Sequence, residues 1–66
     1  MEMQVYVTIE LFKGLVESVQ VFEMEESARQ LETEWLNKTG IKDAMGREAK
    51  AGEGTEFHVV ETVLRR

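Results

Sequence analysis

From Met3 to Phe12 the side chains alternate: Met3, Val5, Val7, Ile9 and Leu11 fall on one face of an extended chain, and Gln4, Tyr6, Thr8, Glu10 and Phe12 on the other. A period of two makes this segment a β-strand, and a strand with so apolar a face needs something to cover it. The chain has few means of doing so. With 66 residues and no cysteine, it lacks both disulfides and thiolate metal ligands, and a domain of this size buries only about 60% of the surface its unfolded chain exposes. The expectation is one small core made by packing alone, open to being shared between copies.

A second run, Leu15–Phe22, sets Leu15, Val19 and Val21 with Glu17 on one face and Val16, Ser18, Gln20 and Phe22 on the other, and Lys13-Gly14 before it signals a hairpin. Parity tests the register, because a slip of one residue turns every side chain over. A two-residue loop at Lys13-Gly14 sets Val7 against Gln20 and mixes the faces. A three-residue loop, Phe12-Lys13-Gly14, with Gly14 at the positive-φ position of a bulged turn, sets Val7 against Val19 and Val5 against Val21. That loop is the predicted one, with Val7 against Val21 as the fallback. In either register Glu17 lands on the apolar face near Ile9 or Leu11, at the hairpin end where it reaches water.

The period then changes. Ala28, Leu31 and Trp35 recur at three and four, with Met24 ahead and Leu36 beside them, which predicts a helix over 24–38. Glu23, Glu25 and Glu26 suit the positive end of its dipole, although no Ser, Thr, Asp or Asn stands there as an N-cap. Lys38 and Gly40 make a conventional stop. Residues 41–54 hold three glycines and no strong apolar period. They read as a mobile loop or a short second helix around Lys42 to Lys50, with Ile41, Ala44 and Met45 touching the core. Residues 55–64, rich in Val, Thr and Phe, read as the third strand, with Arg65 and Arg66 as an exposed tail.

The elements spell ββαβ, an α+β fold. The expected sheet is antiparallel, three-stranded and of order 2-1-3, with strands 3–12, 15–22 and 55–64, a right-handed crossover and one helix on one face. The face with Val5, Val7, Ile9, Val19 and Val21 is the one placed under the helix. Tyr6, Phe12, Val16 and Phe22 are then left on the opposite face as an interaction surface, too apolar for water on so small a sheet. A second copy of the protein or another protein is the expected cover, unless residues 41–54 fold back over that face.

Charge narrows the functions. The formal charge is −5, and residues 1–37 carry eight acidic side chains against two basic ones. Nucleic-acid binding draws much of its affinity from Lys and Arg on phosphate, which disfavours that class. It stays as the alternative, using Lys38, Lys42, Arg47, Lys50, Arg65 and Arg66 beside exposed aromatics. The opening residues lack the basic and continuously apolar stretches of a signal peptide, and no run is long enough for a membrane helix, so a cytoplasmic setting is expected.

Chemistry has little to stand on. His58 is the single histidine, and a polar cluster of Glu10 and His58 on the open face, with Tyr6 near and Glu61 at the edge, is the one constellation available for acid/base work or metal binding. An incidental imidazole explains it better. Ser18 and Ser27 have no nucleophile motif, Gly52-Glu53-Gly54 lacks the sequel of a phosphate loop, and Trp35 at helical spacing reads as core. No cofactor, no metal and no catalytic activity are expected. A small-molecule-binding or weakly catalytic protein is the third reading.

The opening Val5-Tyr6-Val7-Thr8-Ile9-Glu10-Leu11-Phe12-Lys13-Gly14-Leu15-Val16, then Val19-Gln20-Val21-Phe22 and an acidic helix start, resembles small uncharacterised microbial and phage proteins built as a hairpin plus helix. The likeness spans about the first 37 residues and lies in core and turn positions. It implies the fold and carries no active-site signature. The function expected from all of this is a non-catalytic protein-interaction or regulatory module that self-associates as a homodimer.

Overall fold

A computed structural model describes residues 2–65. The chain forms β1 (Glu2–Phe12), β2 (Leu15–Phe22), α1 (Glu25–Thr39), α2 (Ala44–Gly52) and β3 (Glu56–Arg65). The strands make one antiparallel sheet of order β2-β1-β3. Sheet order and class agree with the sequence reading. The single helix does not, because residues 41–54 supply a second one and the element order is ββααβ.

The hairpin departs from the predicted loop. Lys13 and Gly14 both have positive φ, 51° and 81°, as a two-residue type I′ turn requires, and that turn matches the twist of the strands it joins. Phe12 faces Leu15 and Leu11 faces Val16, and then the register shifts so that Glu10 faces Ser18, Ile9 faces Val19 and Val7 faces Val21. Glu17 is the extra residue of a β-bulge. The bulge reconciles the short loop with like-facing apolar residues, so the fallback register holds from Ser18 onward and the three-residue loop is not used.

α1 begins at Met24, which has extended backbone and makes no side-chain cap. It ends at Gly40 in the left-handed conformation (φ 76°), where the Gly40 N–H donates to the Asn37 carbonyl and the Ile41 N–H to that of Leu36. α2 starts on Asp43, whose carboxylate accepts from the Gly46 N–H at 2.8 Å. Met45 and Ala44 face solvent and Ile41 is half-buried, so only Ile41 comes near the expected core position. Arg47 ties α2 down instead. Its guanidinium donates to Glu32 Oε2 at 3.0 Å and to the Phe57 carbonyl at 2.8 Å, and it lies 5.6 Å from the centre of the Trp35 ring.

The core corrects the face assignment. Trp35 and Phe57 stack at 5.5 Å, and Lys38 of α1 reaches Glu10 at 3.1 Å. Phe57 is opposite Glu10 in the sheet, and Phe22 is opposite Tyr6. The helices therefore cover the face of Tyr6, Thr8, Glu10, Phe22 and Phe57. The face of Val7, Ile9, Val19 and Val21, expected under the helix, is the one left open. Large aromatic side chains fill the space between a helix and a sheet, and they lie on the first of these faces. Val5 is buried although its parity places it on the open face, where its neighbours are Met3 and Val7 along β1 and Thr62 on β3.

Candidate functional site

The open face is built by the alternation of three strands. Its rows are Val21-Val7-Val60, then Val19-Ile9-His58, then Val16-Leu11-Glu56, extended beyond β2 by Val5-Thr62 and Met3-Leu64. Val21 is 60% exposed, Val19 56% and Val60 44%. Its charged groups sit at one corner, where His58 Nε2 lies 3.3 Å from Glu56 Oε1. Both helices pack on the other face, so nothing in residues 41–54 folds back over it.

The four residues expected to form an interaction surface do not share one. Tyr6 and Phe22 are half-buried on the helix face. Phe12, at the end of β1, is 49% exposed, with Lys13 Nζ 5.4 Å from its ring centre. Val16 belongs to the open face, because the bulge at Glu17 reverses its parity. Sequence reasoning missed the valine face as a surface for want of the parity of β3. Phe57, paired with Glu10, shares the face of Tyr6 and Phe22 and would have drawn the helix there.

The polar cluster does not assemble. His58 lies opposite Ile9 on the open face, whereas Glu10 points to the helices and pairs with Lys38. Glu61 is on the helix side and accepts from the Gln4 side-chain amide. Among the described residues no three His, Cys, Asp or Glu side chains gather as a metal site would require. No helix among them is long and apolar enough to cross a membrane.

A cleft lies between the hairpin end and the C-terminal end of α1. It has a volume of about 420 Å³ and is lined by Glu10, Phe12, Glu17, Trp35, Lys38 and Lys50, among others. Carboxylates and ammonium groups alternate around it, and Lys38 is already held by Glu10. Near it, the Gly14 N–H donates to the Gly54 carbonyl at 3.0 Å, joining the hairpin turn to the start of β3. The basic residues do not form a separate patch. Lys38 pairs with Glu10, Arg47 with Glu32, Lys50 with Glu53 and Arg65 with Glu2, Lys42 is exposed just before α2, and Arg66 lies outside the described residues. No protein-family profile, curated protein or solved structure matches the chain.

Proposed function

We propose that this chain is a non-catalytic protein-interaction module that self-associates, and that the open sheet face is its contact surface. The observation that carries the reading is the continuous valine surface of β2, β1 and β3, uncovered by either helix. Exposed apolar surface of this kind costs free energy in water, at roughly 25 cal/mol for each Å² left uncovered, and a partner recovers it. Association at this face leaves the helix-side core untouched, so binding and folding can be separated by mutation.

Molar mass by light scattering behind size exclusion, across a tenfold range of protein concentration, tests this. The expected result is a mass rising toward twice 7.6 kDa for the parent chain and staying at the monomer value for Val21→Lys. A parent chain that stays monomeric throughout counts against self-association, and a Val21→Lys chain that still doubles its mass removes the face from the contact. The nucleic-acid alternative has its own check. Lys38, Arg47, Lys50 and Arg65 face carboxylates and the formal charge is −5, so no polarisation shift with single-stranded or duplex DNA or RNA at low salt is the expected outcome.

A further inference from the structure

We infer that the occupant of the open face is a second copy of this chain, laid on it face to face about a two-fold axis, with all helices outside. This rests on the self-association reading and adds the geometry of the pair. A two-fold contact opposes one patch to itself, so the patch must be free of like-charge conflict. The valine face meets that condition, since the rows through Val7 and Ile9 carry no charged side chain except His58 at their margin.

The exposed area leaves room for such a contact. A compact monomer of 7.6 kDa exposes about 4,300 Å² by the usual scaling with mass, whereas this chain exposes 4989 Å². The excess, about 700 Å², belongs to the whole slab, Met24 and Met45 off the open face included, and a standard stable interface asks roughly 800 Å² of each partner. Shape points the same way: the molecule measures 40 × 22 × 16 Å, a slab two layers thick. Stacking two slabs on their bare faces gives four layers, with sheets about 10 Å apart and a core between them.

The competing geometry joins the free edges of two β2 strands into one six-stranded sheet. That arrangement sets the two α1 helices side by side along the seam. The groove between β2 and α1 is bordered by Gln30 and Glu34, and Glu23 follows β2 directly. Edge pairing therefore brings the acidic side of one copy against that of the other, where like charges repel. Face-to-face packing puts the same carboxylates on opposite outer surfaces, far beyond the screening length of about 8 Å.

The absence of native cysteine allows a direct test by a single spin label. Thr33 is exposed on α1 and takes no part in either contact, so a labelled Thr33→Cys chain reports the distance between helices by pulsed electron resonance, with light scattering on the same sample. Helix axes roughly 30 Å apart are expected for the face-to-face pair, placing the labels roughly 35–45 Å apart. The edge-paired sheet places them roughly 15–25 Å apart. A doubled mass with the long distance, both lost in Thr33→Cys/Val21→Lys, supports the inference. A doubled mass with the short distance overturns it and leaves self-association standing. A monomer mass overturns both. Glu26→Cys, also exposed on α1, serves if the first label disturbs folding.

Discussion

Gly54 and Gly14 look alike in sequence and differ in what surrounds them. Both have positive φ, 84° and 81°, but a Cβ on Gly14 meets nothing within 4 Å, whereas one on Gly54 falls 2.5 Å from the Gly14 nitrogen. Gly14→Ala is expected to lose about 1 kcal/mol, the cost of a left-handed alanine. Gly54→Ala adds a backbone clash and breaks the link from turn to β3, for a loss of about 3 kcal/mol in urea denaturation. Gly54, the last residue of the segment that reads in sequence as a mobile loop or short helix, is thus a fixed close approach. Arg47 makes a second residue-scale case. It serves Glu32, the Phe57 carbonyl and the Trp35 ring together. Arg47→Ala leaves Glu32 with Arg29 as its remaining guanidinium partner, at 3.2 Å, removes the donor to the Phe57 carbonyl, and is expected to cost about 1 kcal/mol. Trp35 is the single tryptophan, so its fluorescence shifting to longer wavelength is the readout.

At the scale of elements, the two helices start differently, and the difference is testable. α1 has Met24 at its N-cap with no side-chain acceptor, so Met24→Ser is expected to raise the midpoint of thermal unfolding, by about 1 kcal/mol of added stability. α2 has Asp43 bonded to the Gly46 N–H, and Asp43→Ala is expected to lose about the same amount and to fray the helix, seen as faster amide exchange at Gly46 and Arg47. The strands and α1 were legible from period alone: 3–12, 15–22, 24–38 and 55–64 each fall within a residue or two of the observed bounds. The faces were not. Parity carries across a hairpin only when its register is regular, and the bulge at Glu17 moves Val16 to the other side while leaving Val19 and Val21 where the short loop would not put them. The candidate site suffered most from this, since Val16 was the one member of the expected surface to reach the open face, and the aromatic members Tyr6 and Phe22 went beneath the helix. Neither Glu10 nor His58 could be placed without the pairing of β3.

The whole molecule has a radius of gyration of 12.9 Å, against about 10.8 Å for a compact domain of 66 residues. Under the proposed self-association a slab of that shape draws part of its stability from its partner, and the unfolding midpoint then depends on concentration by mass action. A tenfold rise in protein concentration is expected to raise the midpoint by about 5 °C in calorimetry. A midpoint independent of concentration is expected for Val21→Lys. The sheet order has a further consequence for how the molecule comes to exist. β1 occupies the centre, and its longer ladder, from Glu2 opposite Arg65 to Leu11 opposite Glu56, is made with the strand that follows every other element in the chain. A ribosome adding roughly 5–20 residues per second makes β1 several seconds before its main partner. During that interval the nascent chain can hold only the hairpin and the two helices, and the central strand is open along one edge. The sheet is therefore completed only once β3 is available, and until then the central strand keeps the edge that β3 will occupy unpaired.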